Sequence, residues 1–172
     1  DIFFGLYTSN LCWNNGDAKG EINKNRAFID EVRARYGKSP AFKGWYIPHE
    51  CERERLNFSE VLRGLSALCK DKCPDKKVLI SPFFFTACTS TDCGFTPQQT
   101  FDEWDKIFGR AGRDIDICAF QDGTAPLKDM REYYMMSKAV CEKYNIEHWV
   151  NAELFERDVR CMYYPIPFTQ LV

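Results

Sequence analysis

The chain of 172 residues has no apolar run approaching the roughly 20 residues that a membrane span needs. No GxGxxG follows any of its apolar runs and no GxxxxGK[ST] loop occurs, so the phosphate-binding turns of nucleotide enzymes are missing. A GxSxG elbow is also missing, which leaves Ser81 in "ISPFF" a poor nucleophile, and no local signature supports a Cys–His protease. There are only 2 histidines, and the 9 cysteines form no pair of CxxC knuckles, so zinc is not expected. A net charge of -2 gives no electrostatic basis for binding nucleic acid or an anionic membrane. Asp1 runs straight into "IFFGLYTS" with neither an initiator Met nor a signal peptide, as expected of a piece cut from a longer chain.

What is present is apolar and aromatic. Hydrophobic residues make up 45% and aromatics 15%, which suits a large core or an aromatic-lined cleft, and a chain of this length is expected to form one domain over residues 1–172. The close pairs "CKDKC" (Cys69, Cys73) and "CTSTDC" (Cys88, Cys93) are spaced for local disulfides of an exported protein. The other reading makes several cysteines, Cys118 among them, small core residues. The odd count leaves at least one thiol unpaired within the chain.

Five short runs rich in β-branched and aromatic residues read as strands: 2–7, 44–48, 78–85, 116–120 and 148–152. Between them, 23–37, 57–73, 96–112 and 127–145 carry apolar residues at spacings of three and four, with Gly37 and Thr96 as stop and start signals. The alternation predicts an α/β fold with a parallel sheet. An open doubly wound sheet and a piece of a (β/α)8 TIM barrel both fit it. The missing Gly-rich turn weighs for the barrel, of which 172 residues hold about five βα units.

In either architecture the working residues gather beyond the carboxyl ends of the strands. Those ends carry Asn10, then His49 and Glu50, then Gln121 and Asp122, then Asn151 and Glu153. Such a ring of hydrogen-bonding groups suits a polyhydroxylated ligand. Glu50 and Glu153 end runs three strands apart, which a barrel can turn toward each other across its mouth. Two carboxyl groups flanking one bond are what glycoside hydrolysis requires, one neutral to protonate the leaving oxygen and one ionised. Glutamates at strand ends also cap helices or pair with arginines, and Arg53 and Arg55 are at hand, so the structural reading stands beside the catalytic one. Glu156 is a substitute for Glu153. His148 opens the last run, away from that end, and reads as structural.

Together "FFGLYTS", "GWYIPHE", "VLISPFF", "DICAFQDG" and "HWVNAELFE" resemble a TIM-barrel family of unknown function, domain of unknown function 4434, itself similar to the clan-A glycoside hydrolases. In that clan the acid/base glutamate ends barrel strand four and the nucleophile glutamate ends strand seven. The resemblance therefore implies that the chain holds strands three to seven of the barrel, with Glu50 as general acid/base and Glu153 as nucleophile of a retaining enzyme. The clan has an Asn before the acid/base whose amide binds the sugar 2-hydroxyl. Here that place is taken by His49, which joins the expected substrate-binding set with Asn10, Gln121, Asp122 and Asn151. Trp13 or Trp45 would give a stacking platform. No metal or organic cofactor is implied, the implied partner is a carbohydrate, and a non-catalytic carbohydrate-binding barrel is the alternative.

Overall fold

The computed structural model describes residues 1–86, 94–111, 113–123, 125–151, 154–157 and 163–165. Strands β1 (Ile2–Gly5), β2 (Phe42–Ile47), β3 (Lys77–Ile80), β4 (Ile117–Gln121) and β5 (Glu147–Asn151) form one sheet in the order β1-β2-β3-β4-β5. Every pair in it is parallel. Helices α2 (Ala18–Tyr36), α3 (Phe58–Lys72), α4 (Pro97–Ala111) and α5 (Leu127–Lys143) make the crossovers, and a short helix α1 (Asn10–Asn14) precedes α2. A separate antiparallel hairpin joins β6 (Phe155–Arg157) to β7 (Tyr163–Pro165).

Helices α2 and α4 start where the sequence offers side-chain acceptors for orphan backbone donors. The Asp17 side chain accepts the Gly20 N–H at 2.9 Å, and α2 therefore begins ahead of the predicted residue 23. Before α4, Thr96 and Gln99 cap each other, the Gln99 N–H donating to Thr96 Oγ1 and the Thr96 N–H to Gln99 Oε1. Helices α2, α3, α4 and α5 pack on one another in chain order, so they form a single layer.

Register assigns the two faces of the sheet, because side chains alternate along a strand and paired residues share a side. Phe4, Trp45 and Val78 form one row on the helix side, and Ile47, Ile80, Cys118 and His148 form the next. The apolar members of this face, His148 apart, join Phe58, Leu62, Leu65, Trp104 and Phe108 in the core. Trp104 lies at its centre, its ring 5.1 Å from Phe120 and 6.1 Å from Phe58. The other face carries Gly5, Tyr46, Leu79, Ile117 and Glu147 in one row, then Ala119 with Trp149, then Gln121 with Asn151. Among these Gly5, Glu147, Trp149 and Asn151 are exposed.

The predicted disulfide between Cys69 and Cys73 is not formed, and both are free thiols. The two lie one turn apart at the end of α3, where the Cys73 N–H still donates to the Cys69 carbonyl at 2.8 Å, so the backbone is helical through the pair. Cys69 faces the core, and burial pushes its thiol up to about 12. The other pair, Cys88 and Cys93, lies outside the described residues.

Candidate functional site

Glu50 stands three residues beyond the end of β2 and is exposed. On the open face of the same strand, the Tyr46 hydroxyl donates to Glu50 Oε1 at 3.1 Å. Burial first, then the Glu50 charge and this hydrogen bond, hold the Tyr46 phenol well above its ordinary pKa, so it remains a donor. One carboxylate oxygen is thereby fixed.

Directly before Glu50 the side chain turns the other way. His49 is 3% exposed, and its Nε2 lies 2.9 Å from Glu21 Oε1 on the buried face of α2. That oxygen also accepts the Ser9 N–H at 2.8 Å. One turn along α2, Asn25 takes both backbone groups of Tyr7, accepting its N–H at 2.7 Å and donating to its carbonyl at 3.0 Å. The Trp13 ring stands edge-on to His49 with centroids 4.9 Å apart. Two buried polar residues of one helix thus hold the loops that leave β1 and β2.

The loop from Glu50 to α3 is held at several points. The Glu54 N–H donates to Glu103 Oε1 of α4 at 2.9 Å, Asn57 Nδ2 donates to the Gly16 carbonyl at 2.8 Å, and the Arg53 guanidinium lies 4.3 Å above the Phe85 ring centroid. Leu56 and Asn57 both have positive φ, 51° and 60°, an uncommon backbone for a leucine that such anchoring sustains.

The other residues singled out in the sequence fall as follows. Gln121 ends β4 on the open face, half-buried, with Nε2 donating to the Ser81 carbonyl at 2.8 Å. Asn151 ends β5 on the same face and is exposed, as is Asn10 at the start of α1. Asp122 is half-buried one residue past β4. Trp13 is half-buried against His49 and, at 6.2 Å, Phe58. Glu153 lies outside the described residues, and Glu156 is described only as part of β6.

Two expectations are corrected. Trp45 is no stacking platform: it is 0% exposed on the helix side, its ring 5.1 Å from Phe42 and 6.5 Å from Phe4, because strand alternation that puts Tyr46 on the open face puts Trp45 beneath it. His49 does not take the sugar-facing place of the clan's Asn, since its ring is spent on Glu21 under the site.

Glu21, Asn25 and the hydrogen bond from Tyr46 to Glu50 are what the sequence did not reveal of the site. The signal was present for the first two: the buried stripe of α2 runs Ala18, Glu21, Asn25, Ile29, Val32, with two polar residues in core positions.

Burial depresses the pKa of both histidines. At His49 it outweighs the opposite pull of Glu21, and at His148, whose Nε2 meets Ser137 Oγ at 2.9 Å, the Lys138 charge adds to it. A depressed histidine binds its proton more weakly folded than unfolded, so the unfolded state gains protons first as pH falls through the ordinary 6.5. Stability is therefore expected to decline from pH 7 toward pH 5, and urea midpoints across that range would read it; midpoints that rise on acidification contradict these shifts.

A parallel sheet wound in chain order, with one helix layer and polar residues at its carboxyl edge, is the class of α/β fold whose sites form on that edge. The chain belongs to the family described as domain of unknown function (DUF4434), whose model matches residues 1–172. It is also similar to a solved protein of Bacteroides thetaiotaomicron VPI-5482 proposed to be an alpha-L-fucosidase, with 34% identity and a TM-score of 0.87. That match covers 98% of this chain and 53% of the other, so the chain spans about half the length of this neighbour. No curated protein matches the chain.

Proposed function

We propose that this chain supplies strands three to seven of a (β/α)8 barrel in a retaining glycoside hydrolase, with Glu50 as general acid/base and Glu153 as nucleophile. Three features support the barrel: the sequential strand order, the single helix layer, and a second sheet face that no described helix layer covers, unusual for a parallel sheet. The observation that carries the function is Glu50, an exposed carboxylate at the carboxyl end of β2, steadied by a phenol from the open face. β5, whose continuation leads to Glu153, lies three strands away in the sheet order. Gln121, Asp122, Asn151 and Asn10 then serve as hydrogen-bonding groups for sugar hydroxyls, and Trp13 shapes the floor beneath Glu50.

In this reading Glu50 protonates the glycosidic oxygen while Glu153 attacks the anomeric carbon, and Glu50 then takes a proton from the water that releases the sugar. No step calls on a metal or an organic cofactor. Export of the protein, first suggested by the close cysteine pairs, has no support from Cys69 and Cys73, which are free thiols.

The test is hydrolysis of aryl glycosides by the intact protein, with α-L-fucosides first because of the fucosidase proposal made for its neighbour. Turnover that disappears in Glu50→Gln supports the reading; glycan binding with no turnover in the parent protein moves the assignment to the carbohydrate-binding alternative. Tyr46→Phe removes the hydrogen bond to Glu50 and is expected to lower kcat about tenfold, the equivalent of about 1.4 kcal/mol. An unchanged kcat would show that Glu50 needs no such hold.

A further inference from the structure

We propose that the buried Glu21–His49 pair is a positioning device that sets where Glu50 stands, and that Glu21 and His49 are positioning residues for the reaction. This rests on the reading of Glu50 as the acid/base. His49 and Glu50 are neighbours, so a His49 ring locked beneath the sheet edge fixes the direction in which the next side chain leaves the chain.

The lock has three sides. Glu21 Oε1 holds the ring nitrogen at 2.9 Å, Trp13 packs edge-on to the ring at 4.9 Å, and the same Glu21 oxygen binds the Ser9 N–H, which brings in the loop after β1. Glu50 is then held from the opposite side by Tyr46. A displacement of about 1 Å at a reacting group can cost about a hundredfold in rate, so a device that prevents it has a measurable function.

The pair is a poor device for stability. Both side chains are 0% exposed, and Glu21 Oε2 and His49 Nδ1 have no partner among the described residues. Burying an incompletely satisfied polar pair adds little compared with well-packed apolar groups of the same size, so what the pair provides is direction. An apolar contact is indifferent to rotation, whereas the hydrogen bond from the ring N–H to the carboxylate weakens steeply as it bends.

Position and stability can be separated in variants of the intact protein. Glu21→Leu and His49→Leu each leave a buried polar group unmatched, and both are expected to unfold at lower temperature. The double variant Glu21→Leu/His49→Leu removes both side chains and leaves only the buried Ser9 N–H without its acceptor, so its melting temperature should recover part of the loss. Its kcat on the aryl glycoside that the parent protein hydrolyses should nevertheless remain about ten- to a hundredfold low, with KM nearly unchanged because neither residue meets substrate. His49→Gln, whose amide can still donate toward Glu21, should regain most of that kcat. A double variant with parental kcat, or kcat losses that simply follow the melting temperatures, overturns the proposal.

Crystal structures of the parent and double variant keep the question independent of activity. The Tyr46–Glu50 hydrogen bond should be present in the first and lost in the second. Its persistence in both contradicts the device even if no glycoside is ever turned over, whereas activity that survives Glu50→Gln contradicts only the role given to Glu50.

Discussion

Glu50→Gln is expected to lower kcat by on the order of a thousandfold, within the range that general acid–base groups contribute. Glutamine keeps the shape and an acceptor for the Tyr46 hydroxyl but can neither give nor take the proton. Because Glu50 is exposed, the loss should come without a change in melting temperature. The two half-reactions should respond differently. With a 4-nitrophenyl leaving group the first step needs little protonation, whereas release of the sugar from Glu153 still needs a base to activate water. Azide, which needs no base, should therefore restore turnover to Glu50→Gln and yield a glycosyl azide. Glu153→Gln should lose activity at least as completely and show no such rescue. A Glu50→Gln protein with parental kcat removes Glu50 from the chemistry.

Trp45→Ala is expected to be the most damaging of the single changes considered, in stability and not in chemistry. The ring is 0% exposed and meets Phe42 and Phe4 edge-on or tilted on the helix side of β2. Truncating a buried tryptophan costs about 3–5 kcal/mol through lost transfer energy and the cavity left behind. For a domain of this size that lowers the melting temperature by on the order of 10 °C. Thermal unfolding of Trp45→Ala and Trp45→Phe checks it, the phenylalanine losing less because it refills part of the space. Weaker substrate binding with an unaltered melting temperature would return Trp45 to the site and contradict the face assigned to it.

The same residue explains what could and could not be read from the chain. The order of elements was legible because each βα unit carries two different periodicities, and the boundaries of β2, β4 and β5 fell within two residues of those expected. Within "GWYIPHE" the alternation rule gave opposite faces to Trp45 and Tyr46 but not which face was buried, since in a parallel sheet both carry apolar residues. The core lies on the side of α2 and α3, and only tertiary packing decides that. β3 ended early, at Ile80, because Pro82 interrupts "ISPFF"; beyond it a single bridge at Phe83 and the Gln121 N–H donating to Pro82 continue the contact with β4. The hairpin of β6 and β7 gave no signal strong enough to separate it from a loop, each strand being 3 residues long.

At the site, Glu50 was legible as a charged residue ending an apolar run, and its position at the carboxyl edge follows from strand direction alone. The partner of His49 was not. A histidine before a glutamate suggests that the two act together, yet the ring is bonded to a residue 28 positions earlier, on a turn of α2 that precedes the expected start of the helix. Polar residues placed in the core stripe of a helix were the available clue.

The most direct test of the central claim is the distance between the Glu50 and Glu153 carboxyl groups in a crystal structure of the intact protein. Retaining hydrolysis by this pair requires about 5 to 5.5 Å across a shared cleft. About 6.5 to 9.5 Å would contradict retention and point to inversion, and a separation beyond about 10 Å would contradict the pair as a catalytic unit.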